Sequence, residues 1–145
     1  MTDQSHPESL RPKVGIGVMV FKDGKALFGK RLDSHGTGEW CWPGGHMEYM
    51  ESFEECAKRE TMEEAGIEIE NVRFLRLMNL KEYAPKHYVD IALVADWRSG
   101  EPKVMEPHKI AEWQWRSIDD SPSPLFATMP SYFEALKTGQ NFWDA

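Results

Sequence analysis

Residues 52–66 specify one helix at both of its ends. Ser52 followed by Glu55 is a capping box, in which the Ser hydroxyl accepts from the orphan backbone N–H at Glu55 while the Glu carboxylate reaches back to the N–H of Ser52. Gly66 stands where a glycine lets the chain leave the helix in the left-handed conformation, so the sequence predicts a helix from Phe53 to about Ala65. Inside this well-punctuated helix lies a local conflict. Glu60, Glu63 and Glu64 fall at i, i+3 and i+4, on one face within one turn. Like charges at that spacing oppose helix formation by about 0.2–0.5 kcal/mol per pair, and toward the C-terminal end the helix dipole disfavours anions as well. Good caps around badly placed charges point to a functional constraint on those charges.

The same segment carries the charge of the whole chain. The 145 residues include 24 acids and 17 bases, a net of 17 − 24 = −7. Glu48 to Glu70 alone holds nine acids against Lys58 and Arg59, again −7, so the remainder is neutral. With no basic stripe, a nucleic-acid polymer is not the expected partner; the acids point to cations or to a solvated helix face. Oxygen-only ligands suit Mg²⁺ or Mn²⁺, whereas zinc would want His or Cys at close spacing. A Glu-x-x-Glu-Glu taken alone reads first as a solvated face.

A chain this long builds one domain with its own core. Residues 1–12 read as a loose polar tail and 13–145 as the single domain. That tail has no apolar h-region, Cys41 and Cys56 form neither a disulfide framework nor a C-x-x-C pair, and no apolar run approaches the roughly 20 residues a bilayer requires; a reduced cytoplasmic setting is expected, without a membrane. Strands are predicted at Val14–Phe21 and Ala26–Lys30, joined by an Asp23-Gly24 hairpin turn, then at Val72–Leu80, His87–Trp97 and Glu112–Arg116. Trp40 to Gly45 is a short apolar piece ended by breakers, Asp119–Pro124 a loop, and Ser131–Lys137 a last helix ended by Gly139. The order β-β-α-β-β-β-α implies an α+β domain, a mixed sheet with helices packed on it.

One run sets the acidic helix in context: Gly45-x5-Glu51-x7-Arg59-Glu60-Thr61-x-Glu63-Glu64-x-Gly66-Ile67. It resembles the Nudix box G-x5-E-x7-R-E-U-x-E-E-x-G-U, with U a bulky aliphatic residue. Seven fixed positions match, and Thr61 keeps a β-branched shape at an aliphatic one. At the roughly 7% frequency of a common residue, a chance match is on the order of one in a million. Within that superfamily the chain is similar to the MutT-like nucleotide diphosphatase branch, of the thiopurine-nucleotide diphosphatase type. Gly29-Lys30-Arg31, Pro43-Gly44-Gly45-His46, Glu54-Glu55-Cys56-Ala57, His87-Tyr88-Val89, Met105-Glu106-Pro107 and Glu112-Trp113-Gln114-Trp115 carry that closer likeness. Met50 stands where glycine is usual, Trp42 where an aliphatic residue precedes Pro-Gly-Gly, and Ala127 where a second aromatic often follows Phe126.

The resemblance implies an αβα sandwich and a Mg²⁺-dependent hydrolase (Mn²⁺ as alternative) that cleaves (d)NTPs, oxidised or modified ones included, to (d)NMP and diphosphate, as a homodimer. ADP-ribose, a dinucleotide or an isoprenyl diphosphate are alternative substrates, and a non-catalytic ligand sensor is an alternative class. Glu60 and Glu64 are the first metal ligands it implies, with Glu63 sharing and the Gly44 carbonyl completing the shell; Glu60 or Glu63 takes the proton from water. Arg59 pairs with Glu51 to orient that face. Glu106 is a further ligand or base candidate, or a surface loop residue. Arg31 is a candidate for the phosphates, His46 for the substrate or a supporting hydrogen bond, and Trp42 and Phe126 for stacking on a base.

Overall fold

The computed structural model describes residues 10–33 and 35–144, so most of the expected tail lies outside the described residues. Eight strands and two helices follow in the order β1 (Lys13–Lys22), β2 (Lys25–Arg31), β3 (Trp40–Cys41), β4 (Gly44–His46), α1 (Phe53–Ala65), β5 (Glu68–Leu80), β6 (Tyr88–Ser99), β7 (Ile110–Ser117), α2 (Met129–Thr138) and β8 (Phe142–Trp143). They form a mixed sheet of order β3-β2-β1-β6-β5-β8, with β4 also on β1 and β7 on β2. The sheet alternates cleanly between two helical layers. Ile16, Val18, Val20, Leu27, Leu93 and Ala95 pack toward α1 with Cys56, Ala57 and Ala65. Met19, Ala26, Phe28, Ala92 and Val94 face the opposite way, toward Met129 and Tyr132 of α2. This is the αβα sandwich.

Helix α1 runs from Phe53 to Ala65 with the full capping box at Ser52 and Glu55 and a left-handed Gly66, as its local signals dictate. Asp23 and Gly24 both take positive φ, 51° and 76°, which a tight hairpin turn requires. Three strands are absent from the sequence-based expectation. β3 and β4, which replace the single apolar piece at Trp40–Gly45, and β8 have two or three residues each and exist through partners distant in sequence. β5 starts at Glu68, not Val72, because shifts in its register against β6 and a positive φ at Asn71 break the alternation by which a strand is read.

The feature that prepares a site is a change of partner along β1. Parallel pairing with β6 continues on one side from Lys13 to Phe21. On the other side, Phe21 and Lys22 pair with β2, whereas Gly15, Ile16 and Gly17 pair with His46, Gly45 and Gly44 of β4. Gly44 is required there, since a Cβ on it would collide with the backbone of Ile16.

Candidate active site

A cleft of about 570 Å³ runs along β4 and the Gly15–Gly17 part of β1, within the range that takes a small molecule. On the α1 side it is bounded by Glu60, Glu63 and Glu64 facing Gly44 and Gly45. The contact is close: a Cβ on Gly45 would run into the Glu60 carboxylate, so backbone and carboxylate meet only because residue 45 is glycine. The Gly44 N–H donates to Glu64 Oε1 at 2.6 Å, tying the last turn of α1 to β4 across twenty residues of chain.

Arg59 organises the acids around it. Its Nε donates to Glu51 Oε2 at 2.6 Å and its Nη2 to Glu51 Oε1 at 3.1 Å, a two-point pair, while Nη2 also reaches the His46 carbonyl at 3.0 Å. Its Nη1 donates to Glu60 at 2.8 Å and Glu63 at 3.1 Å. The Arg59 hydrogen bonds, followed by one from the Glu48 N–H, hold the Glu51 carboxyl down to about 2. Glu64 goes the other way. Burial, opposed by the Gly44 N–H and reinforced by the charges of Glu60 and Glu106, pushes it up to about 8. Burial likewise raises Glu60, against the pull of Arg59.

Buried carboxylates held above their ordinary range beside a backbone turn form an oxygen-only donor set, and its chemistry fits a hard divalent cation. As they stand, no three His, Cys, Asp or Glu side chains among the described residues are gathered to close on an ion. Glu60 and Glu63 are turned to Arg59 and Glu64 to the Gly44 N–H. Burial pushes both thiols, Cys41 and Cys56, up to about 12, so neither supplies a thiolate nucleophile at neutral pH.

The remaining candidates fall into place unevenly. Arg31 lines the cleft with its fork already engaged, Nε on the His35 carbonyl and Nη2 on Asp33, both at 2.8 Å. Its guanidinium lies 4.0 Å from the Phe126 ring centroid. Phe126 is also stacked on Tyr83, 5.1 Å between centroids and 7° between planes, so a base would meet this pair and not a bare ring. Trp42 lines the cleft but is only 5% exposed, packed on Phe28, Tyr132 and Phe133, and its first role is core. His46 lies at the exposed rim against Tyr88, its pKa lowered by partial desolvation and then by Lys13, Lys109 and Lys86. Glu106 lies outside the cleft lining, with its carboxylate 3.8 Å from Lys109 Nζ.

Several cleft residues escaped sequence reasoning. Tyr83, from the β5–β6 connection, supplies the aromatic partner of Phe126 that Ala127 lacks. Asp90 of β6 and Tyr132 of α2 line the cleft on the side away from the glutamates. Behind Asp90 stands Arg76 of β5, fully buried, with Nη1 2.8 Å from Asp90 Oδ2. The sequence signal was one charge inside each of two apolar runs, Arg76 within Phe74–Met78 and Asp90 within Val89–Ala95.

Known proteins share this fold. The model of the NUDIX domain matches residues 11–136. An oxidized purine nucleoside triphosphate hydrolase of Danio rerio is 27% identical over 127 residues, 86% of this chain and 80% of that protein. An ADP-ribose pyrophosphatase of Methanocaldococcus jannaschii is 31% identical over 105 residues, 72% of this chain but only 62% of its own length. The crystal structure of a MutT NUDIX hydrolase from Burkholderia pseudomallei superimposes with a TM-score of 0.80 at 34% identity, covering 86% of this chain and 97% of that one.

Proposed function

The chain belongs to the Nudix family and is a Nudix hydrolase, and from that premise we propose that it cleaves (d)NTPs, oxidised or modified ones included, to the monophosphate and diphosphate with Mg²⁺. One observation carries the reading: the Glu60 and Glu64 carboxylates of α1 meet the Gly45 and Gly44 backbone, with Glu63 lining the same cleft, which is large enough for a nucleotide. Glu60 and Glu64 would be the principal ligands, with Glu63 sharing the load and the Gly44 carbonyl completing the shell; Glu106 is a further candidate, as ligand or base. When bound there, Mg²⁺ supplies positive charge to the diphosphate oxygens and acidifies water. Arg59 holds Glu60 and Glu63 in place by hydrogen bonds, so that one of the two takes the proton from the attacking water. Arg31 offers a forked donor to the phosphates once it leaves Asp33. His46 lines the substrate's path, and Phe126 and Trp42 border the base.

ADP-ribose is the second reading, favoured by the name of the Methanocaldococcus jannaschii relative. Product chromatography on (d)NTPs, oxidised nucleotides, ADP-ribose and geranyl diphosphate separates the readings. Monophosphate plus diphosphate from the triphosphates is the expected outcome; AMP and ribose phosphate from ADP-ribose alone would replace it. The same proposal includes a homodimer, to be checked by sedimentation. A cytoplasmic setting fits two buried free cysteines, and among the described residues no helix is long and apolar enough to cross a membrane.

A further inference from the structure

Away from the glutamates, the cleft has a floor that the hydrolytic reading leaves unused. Gly15 and Gly17 put no side chains on the α2 face of β1, and Tyr132 fills the space over Gly17, where its hydroxyl would collide with any Cβ. Over Gly15 lies the Asp90 carboxylate instead, with Oδ1 3.2 Å from where a Cβ would stand. Asp90 is Gly15's direct neighbour in the parallel ladder of β1 and β6, so both point to the same face.

The carboxylate is fixed from behind. Arg76, with no exposure, donates from Nε to Ser131 Oγ at 2.7 Å, from Nη2 to the Thr128 carbonyl at 3.1 Å and from Nη1 to the Asp90 carbonyl at 3.0 Å. Its Nη1 also lies 2.8 Å from Asp90 Oδ2, as an ion pair without hydrogen-bond alignment. The guanidinium rests 4.7 Å from the Tyr132 ring centroid. Oδ2 is completely covered, yet 14% of the Asp90 side chain stays exposed in the cleft. An ionised carboxylate has about four acceptor positions, and Arg76 covers one side only. Once a ligand dries the cleft, the exposed part of the carboxylate would be left without a donor at a cost, so a ligand that donates to it is selected over one that does not.

Resting on the nucleotide reading above, we propose that Asp90 determines base preference and that Arg76 is its positioning residue: the site takes a base with adjacent N–H donors on its Watson–Crick edge, as guanine presents at N1 and N2. Adenine sets an acceptor, N1, beside its single amine, and thymine flanks one N–H with two carbonyls; each would turn lone pairs toward the carboxylate. An isoprenyl chain would leave the acceptor dry and unpaired.

The test is calorimetric binding of dGMP, dIMP and dAMP to the wild-type chain and to Asp90→Asn, with turnover of the matching triphosphates measured in parallel. The proposal expects dGMP to bind about tenfold or more tighter than dAMP, dIMP to fall between, and the preference to collapse in Asp90→Asn while Mg²⁺ affinity is unchanged. Equal binding of dAMP and dGMP by the wild type overturns it, with no variant needed. A preference that survives in Asp90→Asn overturns it also. Should that variant fail to fold over an unpaired Arg76, the neutral pair Arg76→Met with Asp90→Asn replaces it. Selective dGMP binding with no turnover of any triphosphate would sink the triphosphatase reading and leave the role of Asp90 standing.

Discussion

Glu64 is only 7% exposed, and among the described residues its one hydrogen-bond donor is the Gly44 N–H. Its carboxyl, raised to about 8 in the fold, has an ordinary value near 4.5 when the chain is unfolded. The folded state therefore holds this proton more tightly, and stability is full below the unfolded value and lost as pH rises toward 8. Glu64→Gln keeps the acceptor for Gly44 and removes the charge. In EDTA the variant should melt at a higher temperature than the wild type, with the gain larger at pH 8 than at pH 5; an equal gain at both would refute the assignment. Met50 adopts φ 62° and is 81% exposed. A side chain in the left-handed region costs about 1–2 kcal/mol, partly offset by the greater freedom glycine has when unfolded. Met50→Gly should thus gain up to about 1 kcal/mol in a denaturant titration, and Met50→Ile should lose stability, since a β-branched residue fits that region worst.

Among the elements, α1 was legible to the residue because its signals are local. Ser52, Glu55 and Gly66 act within their own turns, and the structure realises both reciprocal hydrogen bonds of the box. Ser52→Ala should cost about 1 kcal/mol, read from the shift in thermal or denaturant midpoint. Glu51 ties the start of this helix to Arg59, and its carboxyl lies well below the ordinary value. Its contribution is full above pH 4.5 and lost as pH falls toward 2. Glu51→Gln should therefore be less stable than the wild type at pH 6 and converge with it near pH 2. The short strands were not legible, for the opposite reason. Gly44 and Gly45 read as breakers and become strand only because β1 offers Gly17 and Ile16 as partners. Arg76 and Asp90 likewise lie in different strands and meet by way of the β5–β6 register and α2. No window of local sequence contains that meeting.

At the scale of the molecule, the site follows from one topological act, the change of partner along β1 from β4 to β2. It places backbone glycines of β4 against the acidic turn of α1 on one face of the sheet and leaves the cleft floor, with Asp90, on the other. The acidic cluster could be read from spacing alone, and the engagement of Arg31 by Asp33 and of Phe126 by Tyr83 could not, since both depend on loops packing together. The central claim is that the α1 carboxylates carry a cation-dependent cleavage of a nucleotide. The most direct measurement is the rate of diphosphate release from dGTP as Mg²⁺ is titrated, for the wild type, Glu60→Gln and Glu64→Gln. Release should depend on Mg²⁺ and fall in both variants by more than the roughly 10–100-fold typical of losing an outer-shell partner. Release that persists in EDTA, or that both variants retain at the wild-type rate, would contradict it.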